Sequence, residues 1–247
     1  MATTETGHAK NVANFEDLIS FCTGYGASYN PSKAAIKLPA LNTLHTEAVS
    51  KLAAVNSAQT PWSNTVSARE IVFEPLSKLI TRIVNSLEAS DVPKQVVDNA
   101  KTIARKIQGK RATPINTTAP TDPAVPVEEN SKNISASQMG FDNRIENMDK
   151  LIQLLSAQTG YAPNETELTT AALTTFLTNM RAANTAAINA FTPLSNSRIE
   201  RNKALYQAET GLVDIAGDVK KYVKSVFGGT SPQYKQVSGL KFITPKK

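Results

Sequence analysis

Cysteine occurs once in this sequence, at Cys22, so no disulfide can form within the chain and a thiolate metal site is ruled out. Histidine occurs twice, at His8 and His45. With so few, there is no Ser-His-acid set, no Cys-His pair and no H-E-x-x-H run, and the usual hydrolytic machinery has no candidates. Glycine-rich phosphate loops are missing too. Gly24-x-Gly26 lacks a third glycine and a preceding strand, and Gly228-Gly229 has the form of a helix C-cap. No stretch approaches the roughly 18 uninterrupted apolar residues of a membrane-spanning helix. Residues 1–14 are polar, with no apolar h-region, so no signal peptide is expected. The expectation is a cytoplasmic protein without a membrane partner, catalytic residue, metal or cofactor.

The composition is 40% hydrophobic and 19% charged, with aromatics at only 6%. Cores rich in Ala, Leu, Ile and Val with few rings suit helix-on-helix packing. No segment alternates in the manner of a strand. Apolar residues instead recur at helical spacing, as in Phe15, Leu18, Ile19 and Cys22, in Leu41, Leu44, Ala48, Leu52 and Val55, and in Ile145, Met148, Ile152 and Leu155. Further stripes run through Leu76, Ile80, Ile83 and Leu87, through Val96, Val97, Ala100, Ile103 and Ile107, and through Leu212, Ile215, Val219, Val223 and Val226. Ser231 as N-cap with Pro232 at the first helical position opens a last short helix.

An internal repeat organises these stripes. Tyr29-x-Pro31 recurs as Tyr161-x-Pro163, and Thr60-Pro61-Trp62-Ser63-Asn64 as Thr192-Pro193-Leu194-Ser195-Asn196, both at an offset of 132 residues. Arg69 and Arg201 keep that offset, as do Ile36/Leu168 and Phe73/Leu205. Between the copies lies a segment with Pro114, Pro120, Pro123 and Pro126 and no apolar period, which reads as an extended linker. The expected fold is all-α, with two tandem, sequence-related bundles of four or five helices each, joined by a Pro-rich linker. The boundaries are a disordered tail over 1–12, repeat 1 over 13–109, the linker over 110–137 and repeat 2 over 138–247. The Thr-Pro dipeptides either start new helices or interrupt long ones, because a residue before proline avoids αR geometry.

Residues Gly211-Leu212-Val213-Asp214-Ile215, the run Val219 to Gly228, Ser231-Pro232-Gln233-Tyr234, Tyr161-Ala162-Pro163-Asn164-Glu165 and Ser195 to Ile199 resemble an uncharacterised group of bacterial two-repeat helical hypothetical proteins. The resemblance covers mainly 151–242. It implies a helical two-repeat fold and carries over no catalytic residue.

Net charge is +6, with the excess mildly in the C-terminal half. Three surfaces can bear function. On a helix, Arg198, Arg201 and Asn202 share a face and can grip a phosphate or carboxylate, with Glu200 nearby; the plainer reading is a solvated face. Lys94, Lys101 and Arg105 form one basic stripe, and Lys220, Lys221 and Lys224 another; either can meet nucleic-acid phosphates, although Asp98, Asp214 and Asp218 intervene. Cys22 and His45 lie on apolar stripes and read as core residues, while His8 reads as solvated. Glu165 and Glu167 read as helix-start acids. The leading expectation is a non-enzymatic scaffold or interaction protein that binds a protein partner or copies of itself. The alternative is sequence-independent nucleic-acid binding through the basic helices, and the third is small-anion binding or an enzyme around Arg198, Arg201 and Glu200.

Overall fold

Residues 7–110 and 139–244 are described by a computed structural model. They are helical as expected, with eight α-helices: α1 His8–Gly24, α2 Leu38–Phe73, α3 Leu76–Glu88, α4 Lys94–Gln108, α5 Phe141–Ser156, α6 Thr170–Tyr206, α7 Leu212–Phe227 and α8 Pro232–Ser238. The linker expected over 110–137 lies, apart from Lys110, outside the described residues. Residues 8–12, expected in a disordered tail, are helical, because Asn11 and Val12 fall on the buried face of α1. The rest of that tail, save Gly7, lies outside the described residues.

Both Thr-Pro dipeptides lie inside single long helices, with Pro61 within α2 and Pro193 within α6. A proline inside a helix removes one backbone hydrogen bond and crowds the preceding turn, at about 3 kcal/mol. Local packing offsets this. Leu194, next to Pro193, is fully buried. Trp62, next to Pro61, lies 6.2 Å from Phe191, ring centre to ring centre.

The chain forms two compact units, and they do not divide it where the sequence places the linker. One unit takes residues up to Asn64 and from Asn189 onwards; the other takes Thr65–Ile188. Each therefore combines part of one sequence half with part of the other. The first unit holds α1, the N-terminal part of α2, the C-terminal part of α6, α7 and α8. Its core joins Phe15, Leu18, Cys22, Leu41 and Ala48 to Leu205, Leu212, Ile215 and Val219. The second unit holds the end of α2, α3, α4, α5 and the start of α6. There Phe73, Leu76, Ile80, Ile83 and Leu87 pack with Ile107, Met148, Leu151, Leu155, Leu173 and Met180.

The offset of 132 residues reappears in the geometry. In the first unit the Tyr29 hydroxyl donates to the Ile36 carbonyl at 2.6 Å, and in the second the Tyr161 hydroxyl donates to the Leu168 carbonyl at 2.9 Å. Each bond closes a 3-10 turn, Ala34–Ile36 and Thr166–Leu168, just before a long helix. Gly160 belongs to the second of these corners. A Cβ there would lie 2.6 Å from the Asp91 carbonyl oxygen, so only glycine permits the approach.

In the first unit two buried asparagines on α1 fasten the chain after α8. Asn11 exchanges hydrogen bonds with the Ile243 backbone, at 2.8 and 3.0 Å, and Asn14 donates to the Lys241 carbonyl at 2.6 Å. The expected cap of α8 is present, with the Ser231 hydroxyl accepting from the Tyr234 amide. Val226, expected inward on α7, is exposed.

Because each core needs helices from both sequence halves, neither 7–110 nor 139–244 expressed alone will be a folded monomer. Mixing the two fragments will restore cooperative unfolding. Circular dichroism melts of each fragment and of the mixture check this, and a sharp melt from an isolated monomeric fragment would refute it.

Candidate functional site

In the second unit α2 and α5 each contribute one arginine and one phenylalanine to a half-buried cluster. Arg69 and Phe73 are spaced i, i+4 on α2, and Phe141 and Arg144 are spaced i, i+3 on α5, so each pair shares a helix face. The Arg69 guanidinium sits 3.8 Å over the Phe141 ring and that of Arg144 5.5 Å over Phe73, while the two rings meet edge to face at 4.9 Å. Arg69 also donates to the Asn184 side-chain oxygen at 3.0 Å, and Asn184 passes the link to Asp142 at 2.7 Å. The Nε atoms of both arginines are buried without an acceptor. Burial lowers the Arg144 pKa from its ordinary value. Such a cluster locks two helices together, since a desolvated cation over a ring contributes about 2 kcal/mol.

Arg201, which keeps the offset from Arg69, lies in the first unit. Its Nε and Nη2 both donate to the Asn202 side-chain oxygen, at 3.1 and 2.8 Å. Arg198 turns elsewhere and donates to Gln59 at 3.1 Å, while Glu200 pairs with Lys51 at 3.3 Å. The structure thus gives Arg198, Arg201 and Glu200 separate partners. Burial lowers the Arg201 pKa, and the like charge of Arg198 adds to that. His8, expected in a solvated tail, instead opens α1 with its Nδ1 2.7 Å from the Tyr206 hydroxyl. Burial first and Arg201 second lower its pKa.

The two basic stripes differ in how far they are committed. On α7, the Lys220 ammonium bonds the Leu240 carbonyl and lies 5.0 Å over the Phe242 ring. Lys221 pairs with Asp218, and Lys224 lies 5.6 Å over Tyr234. Lys33 also pairs with Asp218, and these contacts hold its carboxyl below the usual range. Lys220 is therefore a fastening for the C-terminal segment. On α4, Lys94 is exposed, Lys101 pairs with Glu88 at 2.8 Å and Arg105 donates to the Thr102 hydroxyl at 3.0 Å.

Clefts accompany the tyrosine corners. In the second unit a polar cleft of about 610 Å³ is lined by Arg82, Ser86, Asp91, Tyr161, Asn164 and Glu165, with Arg82 paired to Glu167 at its edge. In the first unit a cleft of about 520 Å³ has Lys33, Asp214, Asp218 and Lys221. Lys33 and Glu165 stand at the same offset, so the two clefts carry opposite charge at that position. Among the described residues, no group of three metal-ligating side chains converges and no helix is long and apolar enough to cross a membrane.

Cys22 is buried, as its stripe position implied, and burial pushes its thiol up to about 12. His45 is partly buried, 4.0 Å from Glu16. Sequence reading missed the arginine–phenylalanine cluster because its residues come from three separated segments. The signal present was the paired i, i+4 and i, i+3 spacing. Neither protein-family models, curated proteins nor solved structures give a match to this chain.

Replacing Arg69 by Met keeps the apolar stem but removes the stacked charge and leaves the Asn184 oxygen without its donor. Urea denaturation will show a loss of about 1–3 kcal/mol; unchanged stability would mean that the cluster is idle. The Cys22 thiol will react with iodoacetamide on the order of a hundredfold more slowly in the folded protein than in denaturant at the same pH, as mass spectrometry will read.

Proposed function

We propose that this chain is a non-enzymatic helical scaffold of the cytoplasm, descended from a duplicated helical unit whose halves have interleaved, and that it binds another protein through its long helices. The observation that carries the reading is the placement of exposed apolar side chains. Among the described residues eight large apolar side chains are left exposed, and five of them lie on α2 and α6: Val49, Phe191 and Ile199 in the first unit, Ile71 and Ile188 in the second. Ile71 is 68% exposed and Ile199 60%, far beyond what the fold needs from them. Single exposed apolar residues are ordinary, but their concentration on two helices gives a partner apolar anchors. The recurrence of the tyrosine corner and the long helix at one offset supports the duplication.

The test is capture by tagged protein from its native cell lysate, with and without nuclease, comparing wild type with Ile71→Asp and Ile199→Asp. Both sites are exposed, so the melting temperature will stay within about 2 °C of wild type. A protein that survives nuclease and is lost or reduced at least about tenfold in a variant supports the scaffold. Sedimentation of the purified chain shows whether that protein is a second copy. Capture that vanishes with nuclease, or that neither variant changes, overturns the reading.

A further inference from the structure

The basic stripe on α4 borders a groove between α3 and α4, wholly within the second unit. The groove is open to solvent on one side and measures about 240 Å³. Its buried apolar lining is Ile80 and Val84 from α3 and Ala104 from α4, and its charged lining is Lys101, Arg105 and Lys110. No carboxylate lines it among the described residues. At one end the Gln108 amide is fixed by two bonds, to the Ser77 carbonyl and the Thr81 hydroxyl, both at 2.9 Å. That end is held in shape before any ligand arrives.

The macrodipole explains a basic last turn on α4, since cations favour a helix C-terminus. It does not explain an open groove with an apolar floor between those cations and α3. A nucleic-acid strand would use the charges and leave the groove empty. A small ligand with an apolar body and one anionic head uses both, because pockets of this kind combine an apolar lining with a few polar groups that fix orientation. The donors are available as well. Arg105 has five N–H groups, of which the structure records one in a hydrogen bond, to Thr102, and Lys101 has three with one bond recorded, to Glu88.

We propose that the groove binds an amphiphilic anion, its hydrocarbon chain over the edges of Val84 and Ala104 and along the aliphatic stems of Lys101 and Arg105, and its carboxylate or phosphate head on the charged ends of those two residues. Charge complementarity selects the head and the apolar lining selects the tail. This site is independent of the exposed residues assigned above to a protein partner.

Titration calorimetry of the full chain with octanoate tests it, using acetate and octanol as probes of the head and tail alone. Octanoate will saturate at about 1 mM or below, as expected for a ligand of this size, and acetate and octanol will bind at least about tenfold more weakly. Octyl phosphate in place of octanoate identifies the preferred head; tighter binding of either supports the site. Arg105→Glu will weaken octanoate at least about tenfold, since a charge-assisted bond is replaced by repulsion. Lys94→Glu, on the same helix but outside the groove, will leave binding unchanged. Both are solvent-facing changes, and melting curves confirm folding. As a second measurement, methyl NMR signals of Val84 and Ala104 will shift on addition of octanoate. Octanol binding as well as octanoate, equal losses from Arg105→Glu and Lys94→Glu, or no saturable binding would each overturn the proposal.

Discussion

Neither core can close without α2 and α6, because each long helix puts apolar side chains into both. α2 gives Leu41 and Ala48 to one core and Phe73 to the other, while α6 gives Leu173, Leu177 and Met180 to one and Leu205 to the other. Burying a residue such as Leu is favourable by about 1.5–3 kcal/mol, and most of these positions are almost completely covered. Each helix passes from one unit into the other close to its proline, Pro61 in α2 and Pro193 in α6. Both helices continue through a residue that normally ends one, at a local cost of about 3 kcal/mol per proline.

The same constraint explains which parts of the fold could be read from the sequence. The apolar stripes on α1, α3, α5 and most of α7 are local properties of periodicity, and their residues are buried as that periodicity implies. The Ser231-Pro232 start of α8 is likewise local chemistry. The assignment of helices to cores is not local. Equivalent segments of two similar halves present similar apolar faces, so hydrophobic pattern does not say whether α1 packs with α3 or with α7. In the structure α1 packs with α7. A sequence that specifies faces without specifying partners suits tandem and interleaved pairings equally.

Polar residues illustrate the same limit at closer range. Arg198, Arg201 and Asn202 were grouped by helical spacing, and only Arg201 and Asn202 interact. Arg198 is claimed by Gln59, far away in sequence. Lys220 was grouped with Lys221 and Lys224 by proximity in the chain, yet it alone turns inward to the segment after α8. Long cationic side chains reach several ångströms from their backbone, so their partners depend on neighbours that a one-dimensional pattern does not supply. His8 follows the same logic: a polar flanking sequence suggested solvent, but Tyr206 lies close enough to share a hydrogen bond.

Burial of the His8 ring, with Arg201 nearby, also gives the first unit a defined response to acid. His8 has a folded-state pKa below its ordinary value, so the folded protein favours the neutral ring. Its contribution is complete above the unfolded pKa, about 6.5. It is lost as pH falls from there through the lower folded value, because the unfolded chain then binds the proton more readily. Asp218 acts in the same direction at lower pH. Its carboxyl is held down first by the hydrogen bond from Lys33, and its contribution fades as pH falls through that depressed value. Both groups belong to the unit that contains the chain's last helix, α8. The second unit has a cation cluster stacked on aromatic rings, which joins α2 to α5.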